Sequence, residues 1–288
     1  MKRQLQRVLA MALVLAVSTG TFVAAEDWSP GEGMAATMAI NLALGKSIEG
    51  KSDYGFCDTC YLAAYIQPGN YSFITTDLEG GRTYLFGGAV AKENDLDIIV
   101  LDSAGSEVAR DTKTDNIPIV EFTPSSTARY TIRLRLFSAS GGRFCSMVLM
   151  QKGGWTLPVE NLSRAGQIML GRCRNVARQA PTCFLQEAGE WAVIGRVLNK
   201  GDVAVYSDLR LGTGRRVVVA GGDSKTRDID LGLFEDVTNG QALDTDTLPD
   251  DDPVLDARTS SDKRYRLMLE NADSSGATVV MTALLDVG

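Results

Sequence analysis

The stretch "YTIRLRLF", residues 130–137, decides the fold class. Tyr130, Ile132, Leu134 and Leu136 alternate there with Thr131, Arg133 and Arg135. Successive side chains of an extended chain leave opposite faces, so a period of two marks a strand with one buried and one wet face. A sheet buried on both sides has no room for a row of arginines, whereas an antiparallel sheet with a solvated face does.

Working outward, the segments around it read as strands too. "RTYLFGGAV" from Arg82, "LDIIVLD" from Leu96, "IVEFTP" from Ile119 and "RFCSMVLM" from Arg143 are short and rich in β-branched and aromatic residues. Gly, Asp, Ser and Pro separate them, and "SASGGR" from Ser138 is a hairpin turn. Short strands at this spacing predict a β-sandwich or barrel.

The series then repeats. "TCYLAAYIQPG" from Thr59, "GGRTYLFGG", "NDLDIIVLD" and "ARYTIRLRLF" are followed in the same order by "TCFLQEAGEW" from Thr182, "TGRRVVVAGG", "RDIDLGLFED" and "KRYRLMLENA". Gly87-Gly88 pairs with Gly221-Gly222, Asp97 with Asp230, Asp111 with Asp244 and Tyr130 with Tyr265. Two copies make a duplicated domain and not a solenoid. Each copy opens on a segment with helical spacing, "GEGMAATMAINLALGKS" and "VENLSRAGQIMLGRCRNVARQ", the second with Asn161 or Ser163 as its N-cap. The expected architecture is mainly β: two tandem antiparallel β-sandwiches, jelly-roll-like, each preceded by a short α-helix, over residues 26–153 and 154–288.

Residues 1–25 read as a secretory signal: Lys2, Arg3 and Arg7, then apolar "VLAMALVLAV", then small residues at Val23 and Ala25. The chain is therefore expected in the periplasm or secreted. Removing those three bases from 29 leaves 26 against 36 acidic residues, a net charge of −10. A field of that sign repels nucleic acid and anionic lipid, and no stable membrane insertion is expected after cleavage. The sequence contains 0 histidines, which removes Ser-His-Asp and Cys-His catalysis and His-ligated metals together.

Five cysteines in an exported chain predict disulfides and one odd thiol. Cys173 and Cys183 flank a helix-to-strand loop and are the first expected pair. Cys57 and Cys60 form "CDTC" before a strand, not at the start of a helix. A structural bridge, Cys57–Cys60 or one of them with Cys145, is expected over a redox motif.

"NDLDIIVLD" places Asp95 and Asp97 two residues apart on one strand face, and "RDIDLGLFED" places Asp228 and Asp230 likewise. Duplicated carboxylate pairs with no cleft-forming insertion argue against catalysis. Two readings remain. Each Asp accepts backbone N–H bonds where its strand begins, or Asp95, Asp97 and Asp111, with Asp228, Asp230 and Asp244 in the second copy, ligate calcium, an oxygen-seeking cation. No other cofactor is expected.

The run from "GGRTYLFGG" to "RFCSMVLM" resembles the bacterial pre-peptidase C-terminal domain, in two tandem divergent copies. The residues that carry the resemblance are Asp95, Asp97, Asp102, Gly105, Val108, Ala109, Asp111, Val120, Phe122, Pro124 and Tyr130. Ala128 and Lys263 stand where the family usually carries Gly. The resemblance implies a compact, non-catalytic β-sandwich on exported bacterial proteins, often appended to peptidases, with relatives that bind polysaccharide, collagen or calcium. The expected function is thus a non-enzymatic binding or structural role toward an extracellular or envelope ligand, protein or polysaccharide. The alternatives are a calcium-dependent adhesion module and an accessory protein to a secreted hydrolase. Trp28, Trp155 and Trp191 are the candidate sugar-stacking rings.

Overall fold

The computed structural model describes residues 28–50 and 52–288, so the expected signal at residues 1–25 lies outside the described residues. Helix α1 (Ser29–Ile48) precedes strands β1 (Tyr54–Ile66), β2 (Tyr71–Leu78), β3 (Tyr84–Val90), β4 (Asp95–Leu101), β5 (Glu107–Asp111), β6 (Ile119–Phe122), β7 (Ala128–Ser138) and β8 (Arg143–Lys152). Helix α2 (Val159–Ala177) precedes β9 (Thr182–Phe184), β10 (Val193–Leu198), β11 (Val203–Leu209), β12 (Gly214–Gly222), β13 (Thr226–Glu235), β14 (Ala242–Asp246), β15 (Val254–Thr259), β16 (Tyr265–Ser274) and β17 (Thr278–Val287). The helices are 20 and 19 residues long, not short. The expected N-cap at Asn161 or Ser163 falls inside α2, which starts at Val159.

The chain divides into two compact units. One comprises the described residues up to Cys57 with Gln67–Glu160, the other Asp58–Ile66 with Asn161–Gly288. The segment Asp58–Ile66 precedes residue 154 in the chain and yet belongs with the second unit, where Ala63, Leu62 and Tyr61 pair with Val193, Ile194 and Gly195 of β10.

In the first unit one sheet has the order β2-β7-β4-β5, and a second contains β8-β3-β6. All named pairings are antiparallel. Strand β7 keeps the alternation of its sequence: Tyr130, Ile132, Leu134 and Leu136 are buried and the arginines face outward. Strand β3 is buried along its whole length, because it is the middle of three layers. A Cβ on Gly88 would touch Leu134 and Leu96 of the opposing sheet, whereas one on Gly87 would meet Leu44 of α1. Alternate faces thus look toward sheet and helix, and apolar residues run without a break. Each buried Leu or Phe in such a layer contributes roughly 1.5–3 kcal/mol. Asn41, buried in the helix–sheet seam, donates from Nδ2 to Ser146 Oγ at 2.8 Å.

The second unit repeats the plan. Its sheets have the orders β11-β16-β13-β14 and β15-β12-β17-β10-β1, with β9 paired to β17. Helix α2 lies on β12, where a Cβ on Gly221 would come within 2.6 Å of the Met169 backbone nitrogen. The seam here holds a buried carboxylate. Asp223 accepts from Asn161 Nδ2 (2.7 Å), Thr278 Oγ1 (2.6 Å), and the backbone N–H groups of Val279 and Lys225 (both 2.9 Å). Four donors offset the cost of removing that charge from water.

Candidate functional site

The aspartates of the repeat lie around one end of each β4-type strand. Asp111 sits opposite Ile98 of β4 and accepts from the N–H groups of Lys113 (3.4 Å) and Ile119 (3.2 Å). In the second unit the residue opposite Leu231 of β13 is Asp246, which accepts from Leu248 (3.2 Å) and Val254 (2.9 Å). Asp246 is therefore the counterpart of Asp111. Asp244 stands opposite Leu233 and accepts from Thr245 and Asp256 N–H; its place in the first unit is taken by Ala109, opposite Val100. The sequence alignment of Asp111 with Asp244 is thus off by two residues.

The corrected register shows a shared motif. "DTKTDNIP" (residues 111–118) and "DTLPDDDP" (residues 246–253) both read D-T-x-x-D-x-x-P. The second Asp accepts from the N–H two residues on, Asp115 from Ile117 (3.0 Å) and Asp250 from Asp252 (3.2 Å). Its carbonyl takes the N–H of Leu96 or Ile229, and the Pro carbonyl takes that of Gly88 or Ala220. These loops clip the two sheets of each unit together through backbone bonds held by carboxylates.

The D-x-D pairs are served differently. Asp95 Oδ1 and Asp228 Oδ1, equivalent atoms of the two units, are both enclosed without a hydrogen-bond partner. Asp97 is only 3 % exposed. Burial first, and then the neighbouring Asp95 carboxylate, raise its pKa above the usual range; Arg135 opposes this. Asp230 is raised by burial and then by Asp228, Asp228 by burial and then by Asp250, and Asp115 by burial. Carboxylates that repel in a poorly solvated place hold protons. Among the described residues, no group of three or more Cys, Asp or Glu is arranged to hold a metal ion. Asp95 and Asp111 act on Asp97, and Asp228 and Asp246 on Asp230, while Asp244 lies further along the strand opposite Leu233; neither expected trio forms such a group.

All five cysteines are thiols in the structure. Cys57 and Cys60 are three residues apart on β1, which separates their Cα atoms by about 10 Å, beyond the roughly 7 Å a disulfide spans. Cys173 is buried in α2, while Cys183 lies opposite Asp286 with Arg216 nearby, its neighbour Phe184 taking the buried position. The Cys173–Cys183 bridge expected from the loop length is not formed, and Cys145 is buried as a thiol.

The outer face of β2 and β7 carries the first unit's exposed rings. Tyr71 pairs with Arg135, Phe73 with Arg133, Thr75 with Thr131 and Asp77 with Arg129. Tyr71, Phe73 and Phe137 are 41, 39 and 52 % exposed. The Arg133 guanidinium lies 4.7 Å over the Tyr71 ring and that of Arg135 lies 5.0 Å over Phe137. Arg129 pairs with Asp77 at 3.6 Å, but neither Arg133 nor Arg135 closes an ion pair with a carboxylate of the described residues. Sequence reading missed this face. It looked to tryptophans, yet Trp28 and Trp191 are buried. The available signal was the strand pairing: once β7 turns its arginines outward, the β2 residues opposite them turn outward too.

The fold is a two-unit antiparallel β-sandwich protein, each unit carrying one long helix, and no described helix is long and apolar enough to cross a membrane. No family model matches the chain, and no curated protein matches it. Among solved structures, the tandem CBM51 modules of a family 98 glycoside hydrolase from Streptococcus pneumoniae are similar over 80 % of this chain and 88 % of theirs, at 9 % identity and a TM-score of 0.24. The CBM22 tandem of Paenibacillus barcinonensis Xyn10C is similar over 78 % of this chain and 93 % of its own, at 12 % identity and a TM-score of 0.24. Scores this low leave the functional reading to the chain's own residues.

Proposed function

We propose that this chain is an exported, non-catalytic binding protein built of two β-sandwich modules of the pre-peptidase C-terminal kind, and that its first unit meets ligand through the outer face of β2 and β7. The observation that carries the reading is the contrast between the units. The same sheet positions hold rings and guanidinium groups in one and aliphatic residues with a carboxylate in the other. The same sheet in the second unit is built with other residue types at these positions, and exposed rings beside arginines are the residue types that dominate binding surfaces. The absence of histidine and the backbone-clipping use of Asp111, Asp115, Asp246 and Asp250 support a non-catalytic role.

The purified exported protein should be retained on one or more members of an array of polysaccharides and extracellular proteins and should turn none of them over. Hydrolysis abolished by Asp97→Asn would overturn the reading. A calcium-dependent version has one observation in its favour, the unpartnered Oδ1 atoms of Asp95 and Asp228. Because no three-carboxylate group is formed among the described residues, we adopt calcium-independent binding, in which retention is the same in chelator.

A further inference from the structure

The face described above has a chemistry specific enough to name a ligand class. Tyr71 and Phe73 stand on one side of β2, their ring centroids 6.2 Å apart, and Phe137 lies one residue before the end of the adjoining strand. Between them lie Arg133 and Arg135. The Nε–H of Arg133 is enclosed and donates to nothing among the described residues. The carboxylates in view are Asp97, opposite Arg135 across the β4–β7 pairing, Asp95 opposite Ser138, and Asp77, which is taken up by Arg129. Each guanidinium lies over a ring, Arg133 over Tyr71 and Arg135 over Phe137, and closes no ion pair with a carboxylate of the described residues; guanidinium forks match carboxylates in geometry.

The second unit supplies an internal comparison. Its pairing of β11 with β16 sets Val203 against Glu270 and Val205 against Met268. These are the places of Tyr71, Arg135, Phe73 and Arg133 in the first unit. One unit carries aliphatic side chains and a negative charge there; the other carries rings and positive charge.

We propose that the outer face of β2 and β7 binds an acidic polysaccharide, with Tyr71, Phe73 and Phe137 stacking on the flat faces of its sugars and Arg133 and Arg135 taking the uronate carboxylates. This rests on the binding function proposed above and adds the ligand class. A polysaccharide is favoured over an acidic peptide because an extended peptide is recognised by adding a strand at a sheet edge, where backbone groups are open. Here β2 has an open edge, but Arg133, Arg135 and Phe137 stand on the outer face of β7, which is paired on both sides, one strand in from that edge.

Affinity electrophoresis of the whole exported protein tests the proposal. The probes are polygalacturonate, the same polymer with its carboxylates methyl-esterified, and polyglutamate. The expected result is retardation by polygalacturonate alone, weakening as salt rises. It should fall at least tenfold in Arg133→Met/Arg135→Glu and in Tyr71→Val/Phe73→Val. Those variants install the second unit's own residues. Because Arg135→Glu sets a carboxylate opposite Asp97, the arginines are tested again with Arg133→Met/Arg135→Met, which should lose binding equally and still unfold cooperatively. Val203→Ala/Val205→Ala should bind as the parent does. Equal binding to the esterified polymer or to polyglutamate, no binding to polygalacturonate at low salt, or full binding by both face variants overturns the proposal. Each of those results leaves the general binding function standing if another ligand on the array is retained. Retention by no polysaccharide or protein removes both.

Discussion

Asp111 and Asp246 hold the same place in the two units. Each lies opposite the residue that directly follows the shared D-x-D, and each bridges the N–H groups two and eight residues onward. A carboxylate doing this satisfies two donors that the loop would otherwise leave unmade, and hydrogen bonds to a charged acceptor are the stronger kind. Asp111→Ala and Asp246→Ala should each lower stability by about 1–3 kcal/mol in urea unfolding. Asp111→Ala should cost more, because Asp111 is the more buried of the two. Equal or negligible losses would remove the structural role assigned to these loops.

The D-x-D pairs give the stability an unusual pH dependence. Asp97, Asp115, Asp228 and Asp230 have folded-state pKa values raised chiefly by burial. A group so raised holds its proton more tightly folded than unfolded. Its stabilising contribution is complete below the unfolded value of about 3.9 and is lost as pH rises through the folded one. Asp256, lowered by its hydrogen bond to Arg215, and Glu160, lowered by that to Lys46, act oppositely and lose their contribution only as pH falls toward about 4 and below. The melting temperature should therefore rise as pH drops from 7 through the raised carboxylates and decline once the lowered ones protonate. Asp97→Asn and Asp230→Asn should flatten that rise and stabilise the protein at pH 7. If Asp97→Asn destabilises at pH 7, or calcium raises the melting temperature over chelator, the pair is a cation site after all.

Gly87 and Gly221 both lie under a helix, but a methyl group meets different things there. On Gly87 it would press on Leu44 Cδ2, the free end of a flexible side chain; on Gly221 it would strike the backbone nitrogen of Met169. Overpacking costs about 1–3 kcal/mol, according to what can give way. Gly221→Ala should fall at the upper end of that range and Gly87→Ala at or below the lower end, read by thermal unfolding. The reverse order would mean that α2 docks less closely than described.

The thiols provide a separate check. Burial pushes the Cys60 thiol up to about 12 and raises Cys145 and Cys173 as well, so the thiolate, the reactive form, is suppressed at all three. Ellman's reagent should titrate Cys57 and Cys183 in the native protein and five thiols after denaturation without reductant. A denatured count of three, with Cys173 and Cys183 missing, would restore the bridge expected from their spacing.

Much of the fold was legible because the alternation in residues 130–137 is enforced by one buried and one wet face. The duplication was legible because each copy repeats the same turns and strand starts. Three things were hidden. The loop register slipped by two because Asp244 and Asp246 sit on the same strand face and only backbone pairing tells them apart. The helical layer was invisible in β3, since a strand buried on both sides shows no alternation. The ring-bearing face was hidden because "YSFITTDL" reverses expectation, turning Tyr71 and Phe73 outward and Ser72 inward.

Hydroxyl-radical footprinting of the whole protein, with and without polygalacturonate, reads the central claim at the side chains themselves. The account predicts that Tyr71, Phe73 and Phe137 lose reactivity on binding while Phe234 and Met268 of the second unit keep theirs. Protection of Phe234 and Met268 with Tyr71 and Phe73 unchanged would contradict it.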